Sequence, residues 1–350
     1  MDGVEVRTLT DGGQPAADTA NALAAYIDKA EKSIEVAIYD LNLPPDLHGL
    51  VCGALTTASE RGVAVRLAYN VDHAREIPIP PPPSTDPEAI EAMPFPTAAI
   101  PGVPDLMHHK YVVRDCAAVW TGSTNWTLDS WTREENVIVT VESPALAARY
   151  LEDFQQLWSS RQVSHSGKVD TTPVAPGVAA WFCPRRGEKL AHRIASAIRS
   201  AERRIRIASP VISNGSVLTA LSEVVSAGKI DLAGVVDGTQ ISEVLHQWRE
   251  NQQKTGIPDA KGPLLRETLA RAQFSGKVTT PYAPGSVHDY MHAKMTVVDD
   301  TVFVGSFNLS HSGEMNAENV LEFSDAGLAD QMAAFIDAVR GRYPAVSLPA

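Results

Sequence analysis

The sequence predicts an α/β protein built as two similar halves, and three observations carry that prediction. Short β-branched runs alternate along the chain with apolar residues at helical spacing. One polar pattern occurs twice, first as His108-x-Lys110-x4-Asp115 with Gly122-Ser123-Thr-Asn125, then as His292-x-Lys294-x4-Asp299 with Gly305-Ser306-Phe-Asn308. The 350 residues suit two domains of about 170 better than one core.

In order, Val4 to Leu9 reads as an opening strand, and Ala17 to Lys32 as a helix with Leu23, Tyr26, Ile27 and Ala30 on one face. Ser33 to Tyr39 is a strand, Asp46 to Arg61 a helix and Val63 to Asn70 another strand. From Ile77 to Pro104 the chain turns proline-rich, with four prolines at Pro80 to Pro83. It is read as a stiff loop without regular structure that either covers the surface or rims the site. Ala117 to Trp120 and Glu135 to Val141 are strands, and Pro144 to Arg161 is the helix that closes the first half.

Residues 164–178, rich in Ser, Gly, Thr and Pro, are read as a linker between domains at 1–163 and 179–350. The second half repeats the first. Glu188 to Glu202 is a helix with Leu190, Ile194 and Ile198 on one face, a strand runs through Ile212, and Val217 to Ala227 is a helix. Asp231 to Val236 is a strand, Ile241 to Gln252 a helix, and a polar loop rich in Gly and Pro leads to His292. Thr301 to Val304 is a strand and Ala326 to Arg342 the closing helix. Two copies of one domain can pair about an approximate two-fold and bring their motif faces together.

The motif spacing has a physical reading. On a strand, residues i and i+2 share a face, so each His and Lys emerge side by side. Gly-Ser-x-Asn follows at the end of the next strand, where glycine permits close backbone approach and Ser and Asn supply polar atoms. In each copy a glutamate, Glu135 or Glu318, stands ten residues after the Asn. The copies differ by one residue between Asp and Gly, where a hairpin turn can absorb the slip. Paired, they would offer two imidazoles, two ammonium groups and two amides to one small anion such as a phosphodiester.

Composition narrows the partners. With 42 acidic against 30 basic residues, the net charge is −12, and no basic stripe is evident beyond Arg185-Arg186 and Arg203-Arg204-Ile-Arg206. That argues against a broad grip on a duplex and leaves room for a small phosphate pocket. No apolar run reaches the ~20 residues of a membrane span, and the N-terminus lacks the blocks of a signal peptide. The expectation is a soluble, cytoplasmic protein without stable membrane insertion, a monomer with an internal pseudo-dimer. Cys52, Cys116 and Cys183 form neither a metal box nor a disulfide framework and are read as buried and inert.

The duplicated motif resembles the phospholipase D superfamily, whose signature is H-x-K-x4-D followed by G-S-x-N. Met107-His-His-Lys-Tyr, Gly122-Ser-Thr-Asn-Trp126, Glu135-Asn-Val-Ile138 and Phe154-Gln-Gln-Leu-Trp158 are similar to its branch of bacterial endonucleases and mitochondrial cardiolipin hydrolases of the Zucchini type. Those relatives carry one motif each and dimerise, whereas this chain carries both. The resemblance implies two phospholipase D-like α/β/α domains with the active site at their interface. It implies a phosphodiester hydrolase that forms a covalent phosphohistidine, with His108 as nucleophile and His292 as acid and base, although near-symmetry also permits the reverse.

Lys110, Lys294, Asn125 and Asn308 would bind the non-bridging oxygens, and Ser123 and Ser306 would be accessory donors. Glu135 and Glu318 would each fix a histidine tautomer through the far ring nitrogen. Asp115 and Asp299, like Gly122 and Gly305, would be structural. No cofactor or metal is expected, because the lysines supply positive charge and oppose a divalent cation. The branch likeness favours nucleic acid and the net charge opposes it, and the balance tips slightly to a nuclease. The alternatives are a phospholipase D or cardiolipin hydrolase, a phosphatidyl transferase using the same intermediate, and, remotely, a non-catalytic phosphate-binding module.

Other residues are assigned bland roles. His109 and His288 are read as rim or packing residues, and His73, His165, His246 and His311 carry no signal. Trp126, Trp131 and Trp158 are read as packing, although stacking on bases or contact with lipid is the other possibility.

Overall fold

The computed structural model describes residues 3–72, 85–280 and 288–348. His73 and the proline run Pro80 to Pro83 lie outside the described residues. Among the described residues, sixteen strands and eleven α-helices form two units whose seven-stranded sheets share one topology.

In the first unit the strands are β1 (Val4–Leu9), β2 (Ser33–Ile38), β3 (Leu41–Asn42), β4 (Ala64–Val71), β5 (Thr97–Pro101), β6 (Lys110–Arg114), β7 (Ala118–Gly122), β8 (Trp126–Thr127) and β9 (Asn136–Glu142). The helices are α1 (Ala16–Asp28), α2 (Pro45–Glu60), α3 (Pro87–Glu91), α4 (Leu128–Thr132) and α5 (Pro144–Ser160). The second unit has β10 (Val178–Phe182), β11 (Arg204–Ser209), β12 (Asp231–Asp237), β13 (Gln273–Lys277), β14 (Met295–Val298), β15 (Thr301–Gly305) and β16 (Asn319–Ser324). Its helices are α6 (Gly187–Arg199), α7 (Gly215–Ala227), α8 (Gly238–Thr255), α9 (Lys261–Arg271), α10 (His311–Met315) and α11 (Ala326–Arg340).

One seven-stranded sheet runs β1-β9-β7-β6-β2-β4-β5 and the other β10-β16-β15-β14-β11-β12-β13. Position by position the two agree, with parallel pairing at β2-β4-β5 and at β11-β12-β13 and antiparallel pairing elsewhere. The predicted helical faces are the buried ones: Leu23, Tyr26 and Ile27 of α1, and Leu190, Ile194 and Ile198 of α6. α1 and α2 cover the outer face of the first sheet, and α6, α7 and α9 that of the second.

Between the sheets lies a third cluster, formed by α5, α11 and the inner faces of both sheets, including Tyr150, Phe154, Phe182, Phe323 and Met332. α5 begins at Ser143, whose Oγ accepts from Leu146 N (3.3 Å), and α11 at Asp325, whose carboxylate accepts from Leu328 N (2.8 Å). The two closing helices therefore join the halves through one apolar core.

Several stretches differ from the sequence reading. The segment read as lacking regular structure holds α3 and the edge strand β5. Asp86 caps α3 through Glu88 N and Ala89 N (3.0 and 3.2 Å). The loop before His292 likewise contains α9 and β13. These edge strands pair with one neighbour only, so they lack the long apolar run that marks a central strand. The hairpin slip falls where expected, with three residues (115–117) between β6 and β7 and two (299–300) between β14 and β15.

Candidate active site

The motif histidines lie just before β6 and β14, and each reaches into the other half. His108 N donates to Ala317 O (2.9 Å), and His292 N to Glu135 O (3.1 Å). His108 Nδ1 is 2.8 Å from Glu318 Oε1. His292 Nδ1 is 3.2 Å from Asn136 Oδ1 and 3.3 Å from Glu134 Oε2. Lys110 Nζ donates to His108 O (2.8 Å) and Lys294 Nζ to His292 O (2.7 Å). Lys110 also lies 4.7 Å from the centre of the Tyr39 ring, whose edge meets His108.

Both lysines and His108 are buried, and their charges act across the interface. Burial drives both histidines well below the ordinary imidazole range, and Lys110 and Lys294 each push both further down. Lys110 falls well below a normal lysine, by burial first, and Lys294 is pushed down to about 7. Burial lifts Glu318 to about 7 against the opposing pull of Lys110, Ser306 and Lys294, and lifts Glu134 to about 7 against Ser130, Asn136 and Lys294. The side-chain oxygens of Asn125 and Asn308 are buried without a hydrogen-bond partner. An unpaired acceptor of this kind is costly in a closed core.

Gly122 and Gly305 sit where a Cβ would overlap the carbonyl oxygens of Val137 and Asn319. Asp115, in the left-handed region (φ 54°), accepts backbone N–H groups from Glu31, Lys32 and Ser33. Asp299 (φ 51°) does the same with Glu202, Arg203 and Arg204. Each aspartate thus ties its motif hairpin to the start of β2 or β11.

Three expected site residues stand elsewhere. Glu135 does not meet His292. Its carboxylate binds buried Lys277 Nζ (2.9 Å) and the Tyr343 hydroxyl, and accepts from Asp11 N (3.3 Å). Strand register explains this. Ser123 N donates to Val137 O, but Ser306 N donates to Asn319 O, and Gly122 pairs with Ile138 where Gly305 pairs with Val320. The structural counterpart of Glu318 is therefore Asn136, because fifteen residues separate Gly122 from its strand partner Ile138 and fourteen separate Gly305 from Val320. A one-residue slip turns a side chain to the opposite face of a strand.

Ser123 and Ser306, expected as substrate donors, are fully buried. Ser123 donates to Asn136 Oδ1 (2.6 Å) and accepts from Val137 N (3.0 Å). Ser306 accepts from Asn319 N (3.0 Å). Both hold the site wall.

The sequence reading also passed over residues that touch the site. Glu134 and Asn136 face His292, and Tyr39 packs on His108 and Lys110. Only the register, absent from the linear spacing, marks the first two. His109 is fully buried, with Nε2 2.9 Å from Asp153 Oδ2 and Nδ1 3.2 Å from Asn319 Nδ2, so it packs as expected. Trp126 and Trp131 are buried, and Trp158 stacks on Phe154 (5.5 Å). Cys52 and Cys183 are buried, while Cys116 is partly exposed in the hairpin turn, where the strands no longer cover it.

Two segments, 23–158 and 194–340, each match the family model described as the cardiolipin synthase, PLD-like domain. The chain belongs to this phospholipase D-like family. A mitochondrial cardiolipin hydrolase of Xenopus tropicalis is 26% identical over 150 residues, 41% of this chain and 63% of that protein. The chain thus spans less than two thirds of that relative's length. A phospholipase D of Rickettsia conorii is 27% identical over 151 residues, 43% of this chain and 68% of that protein. Among solved structures, a phosphatidylserine synthase of Haemophilus influenzae Rd KW20 aligns over 97% of this chain and 86% of its own, with a TM-score of 0.66 and 13% identity. That likeness is one of fold. Among the described residues of this phospholipase D-like protein, no helix is long and apolar enough to cross a membrane.

Proposed function

We propose that this phospholipase D-like protein is a phosphodiesterase working through a phosphohistidine, with a phospholipid headgroup linkage as substrate. The observation that carries the chemistry is the crossing of the motifs, each imidazole held by the other half beside two buried ammonium groups. Neutral His108 attacks through Nε2, forming an N–P bond as the bond from phosphorus to the leaving oxygen breaks. That oxygen takes the Nε2 proton of His292. A water molecule then gives a proton back to His292 Nε2 while its oxygen displaces His108 from phosphorus. Lys110, Lys294, Asn125 and Asn308 hold the charge on the non-bridging oxygens. A bound phosphodiester anion also favours a proton on His292, since it offsets the lysine charges that add to burial in depressing the imidazole.

Two features support lipid over nucleic acid. The arginine cluster of β11 is spent on carboxylates: Arg203 pairs with Asp300, Arg204 with Asp330, and Arg206 with Asp231 and Asp337. Exposed apolar side chains also occur in both halves. Val103 and Val278 (53% and 76% exposed) follow the edge strands β5 and β13, and Leu128 and Met315 lie in the short helices α4 and α10. Leu106 N donates to Asn316 Oδ1 (2.9 Å), tying the Val103 and Met315 segments together. Exposed apolar side chains together with arginines already paired to carboxylates suit a lipid surface more than a polyanion.

The test is hydrolysis in EDTA of phosphatidylcholine vesicles, cardiolipin vesicles, single-stranded DNA and RNA, with His108→Ala as blank. Headgroup release from vesicles is expected. Cleavage of nucleic acid alone would transfer the same chemistry to a nuclease, and silence on every substrate would leave a binding module.

A further inference from the structure

Strand register pairs Asn136 with Glu318 and Glu134 with Asn316, so the acid and the amide have changed places between the halves. Behind His108 stands a carboxylate, Glu318 Oε1 at 2.8 Å, with the Asn316 amide behind it at 3.4 Å. Behind His292 stands an amide, Asn136 Oδ1 at 3.2 Å, with the Glu134 carboxylate bonded to that amide at 3.0 Å and 3.3 Å from the ring. Between two seven-stranded sheets of matching strand order, this exchange distinguishes the surroundings of two equivalent histidines.

The hydrogen-bond directions around Asn136 are fixed by its partners. Its Nδ2 donates to Ser130 O (3.1 Å) and Glu134 Oε2 (3.0 Å), so Oδ1 must be the atom that faces His292. Val137 N donates to Ser123 Oγ, so the Ser123 proton goes to the same Oδ1. An amide oxygen only accepts. His292 therefore keeps a proton on Nδ1, and Nε2 is the nitrogen whose proton comes and goes.

We infer that Glu134 and Asn136 are positioning residues that make His292 the better acid, while Glu318 makes His108 the better nucleophile. This rests on the phosphohistidine reading above. A phosphorylated imidazole is cationic, and a carboxylate against Nδ1 stabilises it. A ring that must release a proton to the leaving oxygen is served by a neutral amide, which does not hold the charged form so tightly. The other groups facing His292 are Lys294, Lys110 and His108, and Glu134 itself is faced by Lys294 and Asp129. None of these is altered in the test.

Two variants move His292 in opposite directions. Asn136→Asp sets a carboxylate directly against Nδ1 and strengthens the base. The alkaline limb of the pH profile should rise by about one pH unit. Release of an alkyl alcohol should slow by at least about tenfold more than release of 4-nitrophenol, which needs little protonation. Glu134→Gln withdraws the carboxylate, and the alkaline limb should fall. In the parent protein and both variants, acid-free quenching and mass spectrometry should find the phosphoryl group on His108.

An adduct on His292 in the parent would reverse the roles and overturn the inference. Equal slowing of both leaving groups with an unmoved limb in both variants would reduce Glu134 and Asn136 to packing residues. Absence of any adduct with active protein would instead remove the phosphohistidine itself, a different failure.

Discussion

At the scale of single residues, the buried site sets a charge problem that two lysines and two carboxylates solve jointly. His108 and His292 both titrate below the ordinary 6.5, by burial first. The unfolded chain therefore takes up these protons before the folded one does, so the histidines' contribution falls as pH drops below about 6.5, opposed by that of Glu318 and Glu134, whose carboxyls are raised on folding. Replacing both histidines with Gln should flatten that loss in melting curves between pH 5 and 8. Glu135 and Glu134 should separate cleanly. Glu135→Gln leaves the buried ammonium of Lys277 with Asp11 (3.3 Å) as its remaining carboxylate and is expected to cost about 3 kcal/mol of stability while the adduct still forms on His108. Denaturant titration and adduct mapping on the same sample check both halves of that expectation. Asp115 and Asp299 act on the backbone. Burial pushes each upward, but N–H groups at the start of β2 or β11 outweigh it and hold each carboxyl below the usual range. Their contribution is present above about 4 and is lost as pH falls through the folded value. Asp299→Ala should lower stability by about 2 kcal/mol at pH 7 and by less near pH 3.

At the scale of elements, the strand pairs β7-β9 and β15-β16 position the site because glycine lets them approach. A methyl at Gly122 or Gly305 collides with a neighbouring carbonyl, which cannot swing aside without breaking the ladder. Gly305→Ala is expected to cost about 1–3 kcal/mol and to show as a lowered melting temperature, with weakened protection of Val320 and Leu321 amides in hydrogen exchange. The same two strand pairs show how much of the site was readable. Each His-x-Lys pair follows from period-two alternation, and the hairpin slip between Asp and Gly was visible as a length difference. The identity of the residue behind His292 was not. Glu135-Asn136 and Glu318-Asn319 look equivalent in the sequence, and one extra residue between Gly122 and its strand partner Ile138 turns Glu135 away toward Lys277. The edge strands β5 and β13 were hidden for a related reason, since a strand paired on one side needs no continuous apolar signature.

At the scale of the whole molecule, the two sheets share the cluster around Phe154, Phe182 and Phe323, and neither histidine has its partner within its own half. The halves should therefore unfold together. Phe323→Ala, at a fully buried position, is expected to lower stability by about 3–5 kcal/mol in one transition. It should also reduce adduct formation on His108, although that residue belongs to the other sheet. Fluorescence and adduct yield followed through the same denaturant series would show whether core and site are lost together.

The sequence alone determined that the fold is duplicated, which elements alternate and which atoms each motif can offer, because these are local properties of spacing and pattern. Which atoms face one another was decided by the tertiary structure. A histidine at 108 meets a glutamate at 318, and one at 292 meets an amide at 136, because strand register and the packing of two sheets on one core bring together groups more than a hundred residues apart. No spacing along the chain encodes that contact.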